Sequence, residues 1–265
     1  MEKFIFESEY KIEETIYNTG NSVVYKVKNN KDNGISLVKT IKKRKKHADS
    51  RIKRDYHIPK LINSDRIIKP IDFRLDKEKY YLFYPFLENA KTLNKLNYPN
   101  LDFEYSKKLV YDIACVIKEI HESNVVHRDI KPQNILMHED KIYVIDFDLS
   151  CSLENEKFSI QNTCAGTPFY MAPELWKRGE KILDYKMTDI YSFGITIYYI
   201  FNKKKLPYKK KLSQGQLEHA IFNKEARKSN CGNKLVDNFI MKIIDNDPKN
   251  RPSIDEIILF FQPEK

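Results

Sequence analysis

Cysteine, glycine and long hydrophobic runs are all scarce in this sequence. It contains 4 cysteines and 7 glycines among 265 residues. The cysteines lie far apart, without a Cys-x-x-Cys pair or a histidine at metal-ligand spacing, at positions Cys115, Cys151, Cys164 and Cys231. This pattern argues against a disulfide framework and against a structural zinc site, and it is typical of a protein from a reducing compartment.

Signals for export and for membrane insertion are also missing. Residues 1–10 lack the apolar stretch that a signal peptide needs. The most apolar run, residues 190–201, is too short to cross about 30 Å of hydrocarbon, and we interpret it as a buried helix. We therefore expect no membrane segment and an intracellular location, in the cytoplasm, the nucleus or both.

The sequence does contain enough apolar material for a core. Apolar residues make up 41% of the chain and aromatic residues 12%, which disfavours intrinsic disorder and a coiled coil. A chain of this length buries roughly three quarters of the surface that its unfolded form exposes, so it needs no metal or disulfide to fold. We predict a single domain over residues 1–265, built as two lobes that share a core.

Positive charge exceeds negative charge and is concentrated in short runs. Lys and Arg number 47 against 37 Asp and Glu, which gives a net charge of +10. The runs occupy residues 42–46, 203–205 and 209–211. They are consistent with solvated loops, a localisation signal or a docking patch. Nucleic-acid binding is disfavoured, because no nucleic-acid-binding module accompanies these runs.

The front third of the chain has the composition of strands. Residues 10–27 and 35–41 are rich in Ile, Val, Thr and Tyr and flank a turn-forming segment at 29–34, which predicts a hairpin. Further strands are expected at residues 67–75 and 80–86. Between the hairpin and these further strands we predict a short helix at residues 50–61, which Pro59 shortens or kinks.

The period of the apolar residues changes from about Asp102 onward. They recur at i, i+4, i+7, i+8 and i+11, which is one face of a long helix. The residues are Leu109, Ile113, Val116, Ile117 and Ile120. Short strands are expected at 135–137 and 141–145, and helices at 189–201 and 234–244. A strand-rich front and a helix-rich back predict an α+β fold with two lobes.

Three motifs in the second half carry the chemistry. They read HRDIKPQN at residues 127–134, DFD at 146–148 and GTPFYMAPE at 166–174. Together they put carboxylates, an amide and a lysine on loops around a small hairpin. Phosphoryl transfer needs these groups, because a carboxylate orients the hydroxyl, oxygen ligands hold Mg²⁺ and a cation neutralises the moving phosphoryl group. Each residue taken alone has the alternative role of a loop cap or salt bridge.

In order and spacing these motifs resemble the eukaryotic-type protein kinases, and HRDIKPxN resembles the serine/threonine branch of that family. The resemblance covers about residues 10–260. It implies a two-lobed kinase fold, with a β-rich N-lobe over about residues 1–85, a hinge at about 85–91 and a helical C-lobe over about 92–265. It also implies an ATP-dependent serine/threonine protein kinase that acts on protein substrates and uses Mg²⁺, with Mn²⁺ as an alternative metal.

The resemblance assigns roles to residues of the second half. Asp129 is the implied catalytic carboxylate, and Lys131 is the implied contact to the γ-phosphate. Asn134 and Asp146 are the implied metal ligands. Scaffold positions are implied as well, namely a buried ion pair and the helix residue that braces the catalytic loop: Glu174, Arg251 and Asp189.

In the front lobe, Lys39 is the candidate for the lysine that binds the α- and β-phosphates. It follows an apolar strand and lies fifteen residues after Val24, a spacing that resembles the family's glycine-rich loop. Gly20 and Val24 are the candidate nucleotide contacts of that loop. The helix partner of Lys39 aligns with Asp55, where the family normally has the longer Glu. The alternative is that Asp55 is a surface charge among neighbouring basic residues.

The hinge of the family aligns with residues 82–88. Tyr84 takes the gatekeeper position, and Pro85 falls where the family uses only a backbone carbonyl, so its missing N–H costs nothing there. Leu87 is expected to donate its N–H to adenine, and Leu136 to form the apolar floor under the base. Either leucine, taken alone, is more often an ordinary core residue.

Four departures from the family pattern concern the nucleotide site. The glycine-rich loop keeps one glycine, Gly20, which weakens the approach of backbone N–H groups to phosphates. Leu37 crowds the adenine pocket, and Pro59 stands where an apolar residue normally packs on Phe147. Asp148 replaces the DFG glycine and is expected to bias that loop toward one state.

Two other functions are compatible with parts of the sequence. A pseudokinase scaffold, with weak or no phosphoryl transfer, is favoured by the depleted glycine loop and by Asp55. Such a scaffold has no chemical need for Lys39, Asp129, Asn134 and Asp146 together. A small-molecule kinase on a related fold is disfavoured by residues 166–174, which resemble the family's peptide-docking loop.

Two finer expectations concern regulation and substrate. Thr163 lies four residues before Thr167, the spacing of an activating phosphothreonine in one branch of the family, with Arg128 as a cation suited to the phosphate. Gln133 replaces a glutamate that receives substrate arginine in basic-directed relatives. Together with the lysines at 203–205 and 209–211, this predicts acidic or already phosphorylated substrates. The sequence carries no signal for an oligomeric state.

Overall fold

A computed structural model describes residues 6–20, 22–44, 47–96, 102–159, 165–177, 182, 184–209 and 211–264. Strands dominate the first part of the described chain and helices dominate the rest. The change in sequence period near residue 102 therefore marks a real change in architecture, and the predicted α+β class is confirmed.

The front part is an antiparallel sheet preceded by one helical turn, α1 Phe6–Glu9. Its strands are β1 Tyr10–Asn18, β2 Ser22–Asn29, β3 Ile35–Lys42, β4 Asp72–Leu75 and β5 Lys79–Pro85. The five strands lie in the order β1-β2-β3-β5-β4. Between β3 and β4 the chain crosses the sheet as helix α2 Ala48–Leu61. The predicted hairpin is formed by β2 and β3, which pair antiparallel.

Two strand boundaries differ from the sequence prediction. The segment 10–27 is divided into β1 and β2, because the chain turns at Gly20, whose φ of +71° lies in the left-handed region. The strand expected from residue 67 begins only at Asp72. Ile67 forms only an isolated bridge with Val144. Pro70 has no N–H for a ladder, and the pairing with β5 starts with the bond from Ile71 N to Phe83 O at 2.8 Å.

Helix α2 packs on the sheet through a narrow apolar face. Ile52 is fully buried against Ile41 of β3 and Leu82 of β5. Pro59 lies in the last turn, and the helix ends two residues later, where Ile62 N bonds to Pro59 O at 3.4 Å. The predicted helix at 50–61 is therefore confirmed, with Pro59 close to its end.

The back part of the described chain is helical. Its helices are α3 Phe103–Glu122, α4 Pro173–Trp176, α5 Lys186–Phe201, α6 Gln214–Phe222, α7 Lys234–Ile243 and α8 Ile254–Phe261. Asp102 caps α3 by accepting the N–H of Tyr105 at 2.6 Å. The predicted apolar face of α3 is buried in full, and the apolar run at 190–201 forms most of the buried helix α5. None of the described helices is both long and apolar enough to cross a bilayer.

Short strands fix the loops that carry the motifs. They are β6 Lys91–Thr92, β7 Val125–Val126, β8 Ile135–His138, β9 Lys141–Val144 and β10 Cys151–Ser152. Strands β6, β8 and β9 form one small sheet, and β10 pairs with β7. The HRDIKPQN segment thus spans from β7 to β8, and the DFD segment lies between β9 and β10.

One apolar cluster joins the front and back parts. Ile58 and Ile62 at the end of α2 pack with Phe147 and with buried residues of α3 and α5. The DFD segment therefore sits where the sheet-bound helix meets the helical core. Its phenylalanine belongs to that core, and its two carboxylates lie on either side of it along the chain.

Helix α5 carries a glycine where it meets α7. A Cβ atom on Gly194 would lie 2.6 Å from Cγ2 of Ile243 and 2.7 Å from Cγ2 of Ile244. We expect Gly194→Ala to lower the free energy of unfolding by about 1–3 kcal/mol, because these buried side chains must shift. Gly215→Ala in α6, where a Cβ meets open space, is the control, and we expect it to be neutral or stabilising by up to about 1 kcal/mol. Urea unfolding measures both, and equal stability of the two variants would contradict this packing.

Candidate active site

A buried carboxylate of helix α5 holds the loop between β7 and β8. Asp189 accepts the N–H groups of His127 and Arg128 at 2.8 Å each, and its Oδ2 lies 3.0 Å from Nε2 of His121. Arg128 has a φ of +67°, which a non-glycine residue adopts only with such support. Burial acts to raise the pKa of Asp189, but the bond to His121 and the charges nearby outweigh it, so the pKa lies below its ordinary value. The predicted anchor of this loop is confirmed.

The Asp129 carboxylate is oriented by donors from three residues. Its Oδ2 accepts Lys131 Nζ at 2.5 Å and Asn134 Nδ2 at 3.0 Å. Its Oδ1 accepts the hydroxyl of Thr167 at 2.7 Å and the N–H of the same residue at 3.1 Å. Asp129 is 6% exposed, so these bonds fix a nearly buried carboxylate in one orientation.

Asn134 and Asp146 offer the hard oxygen atoms that a magnesium ion prefers. Asn134 donates through Nδ2 to Asp129, which leaves Oδ1 as its ligand atom. Burial acts to raise the pKa of Asp146, but Lys39 and Lys131 outweigh it and hold the pKa at about 2. No group of three His, Cys, Asp or Glu residues in the described part of the chain forms a closed metal site. This donor set fits Mg²⁺, which in phosphoryl-transfer sites takes one or two carboxylates and completes its shell with phosphate and water oxygens.

Lys39 and Asp55 are brought together in the interior. Lys39 Nζ lies 2.6 Å from Asp55 Oδ2 and 2.6 Å from Asp146 Oδ1. Asp55 is 1% exposed, which contradicts the alternative that it is a surface charge. Its other oxygen accepts the N–H of Phe147 at 3.0 Å. Burial acts to lower the pKa of Lys39, but the carboxylates around it outweigh burial and raise the pKa well above its ordinary value.

Tyr84 adds a contact that the sequence did not predict. It lies on β5 opposite Leu37 of β3, and its side chain is close enough to the Asp55 carboxylate to be acted on by the charge of that group. Burial and the nearby Asp55 raise the pKa of Tyr84 well above its ordinary value. The short carboxylate on α2 therefore accepts hydrogen bonds from β3 and from the DFD segment, and it lies beside Tyr84 of β5.

The remaining nucleotide-site candidates are placed on the sheet and hinge. Val24 pairs with Lys39 across β2 and β3. Gly20 is exposed at the turn between β1 and β2, where its N–H bonds to Asn18 Oδ1 at 2.8 Å. Leu87 follows the end of β5 and is half-buried, as is Leu136 on β8. These positions are compatible with a nucleotide site that runs from the turn to the hinge.

Asp148 is buried beside Lys39 and is bonded to helix α2. Its Oδ2 lies 3.5 Å from Lys39 Nζ and accepts two bonds from Arg51, from Nε at 3.0 Å and from Nη2 at 2.5 Å. Burial and the neighbouring Asp146 raise the pKa of Asp148 to about 6. Asp148 is thereby bonded to α2, and the expected bias of this loop toward one state stays a prediction.

The predicted scaffold ion pair is confirmed. Arg251 donates from Nη1 and Nη2 to the two carboxylate oxygens of Glu174 at 2.7 and 2.8 Å. A further bond from Arg251 reaches the carbonyl of Met187 at the start of α5. The pair ties the end of the GTPFYMAPE segment to the helical core.

Sequence reasoning also missed the contact of Thr167 with Asp129 and that of Arg51 with Asp148. For the first contact a sequence signal was available, because Thr167 is a hydrogen-bonding residue within the GTPFYMAPE motif. The partnership of Arg51 with Asp148 has no signal in the sequence, because the residues are 97 positions apart. Thr163, the expected phosphorylation site, lies outside the described residues.

Comparison with known proteins agrees with this geometry. The family model of the protein kinase domain matches residues 10–259. A serine/threonine-protein kinase named R436 from Acanthamoeba polyphaga mimivirus is 46% identical over 221 residues, which cover 80% of this chain and 79% of that protein. Calcium-dependent protein kinase 6 of Plasmodium berghei (strain Anka) is 32% identical over 200 residues, or 73% of this chain.

The extent of the match differs among these relatives. CBL-interacting protein kinase 2 of Oryza sativa subsp. japonica is 25% identical over 248 residues, or 89% of this chain. The matched region spans 53% of that rice protein and 13% of the Plasmodium protein. What these longer proteins share with this chain is thus limited to part of their length.

The buried Asp189 makes a testable contribution to stability against acid. Because its folded-state pKa is lowered, the stabilisation is fully present above the unfolded-state value of about 3.9 and is lost as pH falls through the folded-state pKa. We expect Asp189→Asn to lower the free energy of unfolding at pH 7 by about 2–4 kcal/mol, because buried N–H donors lose a charged acceptor. Between about pH 5 and pH 3 the stability of the variant should fall less steeply than that of the wild type.

Urea unfolding at a series of pH values measures both effects. Asp255→Asn is the control, since Asp255 is exposed and pairs with Lys118 at the surface. A pH slope for Asp189→Asn equal to the wild-type slope would show that Asp189 does not carry this charge-dependent stability.

Proposed function

The chain belongs to the protein kinase family, on its serine/threonine side, and we propose that it transfers the γ-phosphate of ATP to serine and threonine hydroxyls of protein substrates. The observation that carries the proposal is the Asp129 carboxylate, fixed by Lys131, Asn134 and Thr167. An oriented carboxylate beside a lysine is the group that phosphoryl transfer to a hydroxyl requires.

Each residue of the loop has a distinct task in this proposal. Asp129 accepts the hydrogen bond of the attacking hydroxyl and so points its oxygen at the γ-phosphorus. Lys131, whose Nζ lies 2.5 Å from Asp129 and 2.7 Å from the Thr167 hydroxyl, carries positive charge to the same place. That charge stabilises the transferred phosphoryl group and limits the repulsion between it and the carboxylate.

The front lobe binds the nucleotide in this proposal. Lys39 contacts the α- and β-phosphates, and Asp55 orients Lys39. The turn at Gly20, with Val24, covers the phosphates, and the half-buried Leu87 and Leu136 contact the adenine. Asn134 and Asp146 would hold Mg²⁺ or Mn²⁺, which when bound neutralises negative charge on the phosphate oxygens.

A pseudokinase scaffold would use the same fold without this chemistry. A scaffold has no chemical need for a carboxylate that four hydrogen bonds orient beside a lysine, so the bonding of Asp129 favours the enzyme. We further expect the reaction to take place inside the cell, in the cytoplasm or nucleus. The free thiols of Cys115, Cys151 and Cys231 agree with a reducing compartment.

Loss of either acidic group should abolish transfer without unfolding the protein. We expect Asp129→Asn and Asp146→Asn each to lower kcat by at least about 10³-fold, because positioning and charge stabilisation supply most of the rate enhancement. Radiolabelled ATP with generic protein substrates measures the rate, and circular dichroism checks the fold. Asp140→Asn, in the exposed turn between β8 and β9, is the matched control and should keep its activity. Activity of Asp129→Asn within a few-fold of wild type would refute the assignment.

We also propose that acidic or already phosphorylated segments are the preferred substrates. Lys203, Lys205, Lys209 and Lys211 are exposed between α5 and α6. Tyr208 in the same stretch packs with Tyr170, close in sequence to Thr167 and its contact with Asp129. Exposed lysines near residues 166–174, the segment that resembles the peptide-docking loop, attract negatively charged peptides. They do so mainly by raising the rate at which the peptide and the protein meet.

A positional peptide library tests this preference. At low salt we expect Asp, Glu or phosphoserine near the acceptor residue to raise kcat/KM about threefold or more, and at roughly 0.5 M salt the gain should disappear through screening. Lys209→Glu with Lys211→Glu should reduce the preference, whereas Lys141→Glu on β9 should not. Enrichment of Arg or Lys around the acceptor would refute the proposal and leave the kinase assignment intact.

A further inference from the structure

Lys39 is surrounded by more negative charge than it can neutralise. Its Nζ atom lies 2.6 Å from Asp55, 2.6 Å from Asp146 and 3.5 Å from Asp148. Three carboxylates around one ammonium leave two negative charges to be balanced by other groups. The Asp146 side chain is 34% exposed and that of Asp148 is 5% exposed. Because an unpaired charge is strongly destabilising where it is buried, Asp148 is the carboxylate that needs a further cation.

Arg51 supplies that cation to Asp148. Its Nε and Nη2 atoms both donate to Asp148 Oδ2, at 3.0 and 2.5 Å. The Asp148 side chain is 5% exposed and the Arg51 side chain 36%, so the guanidinium pairs a buried carboxylate from its solvent side. With a neutral side chain at position 51, Asp148 would be left with Lys39, 3.5 Å away, as the cation beside it.

Two residues of helix α2, with opposite charges, bond to the cluster formed by Lys39 and its carboxylates. Arg51 and Asp55 are four residues apart, so they lie on one face of the helix. Asp55 bonds to Lys39 and to the N–H of Phe147, while Arg51 bonds to Asp148. Phe147 and Asp148, the last two residues of the DFD segment, are thereby both bonded to α2.

The backbone at position 148 has no need of glycine. Asp148 is not among the non-glycine residues of the described chain that have positive φ, whereas Asp146 is, with a φ of +70°. An aspartate at 148 is therefore free of backbone strain, and its carboxylate is what requires a partner. A charged pair thus occupies the place of a small, flexible residue.

We propose that Arg51 is a positioning residue of the nucleotide site. By holding Asp148, it keeps the Lys39 ammonium paired with Asp55 and Asp146, in the place from which it binds phosphates. When Arg51 is removed alone, Asp148 competes for Lys39 and draws it away from Asp55. When Asp148 is removed as well, that competition ends. The proposal rests on the proposed kinase function and adds a residue to its nucleotide site.

The test compares Arg51→Ala, Asp148→Gly and the double variant by steady-state kinetics. We expect Arg51→Ala to lower kcat/KM for ATP by at least about tenfold, mainly through a higher KM for ATP, with the KM for the peptide unchanged. The double variant should return to within about threefold of Asp148→Gly alone, because the two effects are coupled. Arg51→Lys should keep more activity than Arg51→Ala.

Lys53→Ala is the matched control on the same helix. Lys53 is exposed and pairs with Asp49 at the surface, so its removal should leave both Michaelis constants unchanged. Circular dichroism and thermal unfolding confirm that each variant is folded. The inference is overturned if Arg51→Ala keeps both constants within about twofold of wild type, or if Asp148→Gly fails to rescue it.

A second readout separates this inference from the kinase assignment. The Kd for ADP, measured by calorimetry on the same variants, reports the nucleotide site without any turnover. If the wild type binds ADP but transfers no phosphate, the proposed function fails, and a coupled effect of positions 51 and 148 on Kd still supports the inference. Additive effects on Kd overturn it, and a wild type that binds no ADP overturns both.

Discussion

The buried ammonium of Lys39 is the point on which the arrangement of the front part depends. Lys39 is 7% exposed and lies on a strand of the sheet, where an unpaired charge would be strongly unfavourable. Its closest partners come from elsewhere in the chain, Asp55 from helix α2 and Asp146 from the segment between β9 and β10. The sheet, the helix and that segment therefore reach a low free energy only together. The geometry proposed for phosphate binding is the same geometry that neutralises this charge.

The helical part contains a buried charge of the opposite sign. Asp189 lies in α5, most of whose residues are buried. Its carboxylate accepts hydrogen bonds from two backbone N–H groups and lies 3.0 Å from His121. This contact holds Arg128 at a positive φ and so determines where Asp129 stands. An apolar helix is rigid because it is tightly packed on all sides. Through its bonds to His127 and Arg128, Asp189 fixes the loop that carries Asp129 to this helix. Small displacements of that loop would matter most for phosphoryl transfer.

The departures of this sequence from the family pattern are balanced by contacts within the chain. Asp55 is shorter than glutamate, yet both its oxygens accept hydrogen bonds, one from Lys39 and one from the N–H of Phe147. Asp148 brings an extra carboxylate, which pairs with Arg51. Arg51 lies on α2, one turn before Asp55. Pro59 falls in the last turn of α2, so the backbone hydrogen bond that its missing N–H removes lies at the end of the helix, which stops two residues later. A residue that breaks a local rule is thus accompanied by a compensating partner.

The sequence alone determined the features that depend on neighbouring residues. The apolar period placed α3, and a continuous apolar run placed α5. The motif spacing placed Asp129, Asn134 and Asp146 beside short strands, because helical period and turn chemistry are local properties. Local pattern could not decide whether Asp55 is a surface charge or a buried one. That depends on Lys39, 16 residues away, and on Phe147, 92 residues away. The partner of Asp148 was decided in the same way, since buried charges pair with whatever the packed chain brings within a few ångströms, and only the tertiary structure sets those distances.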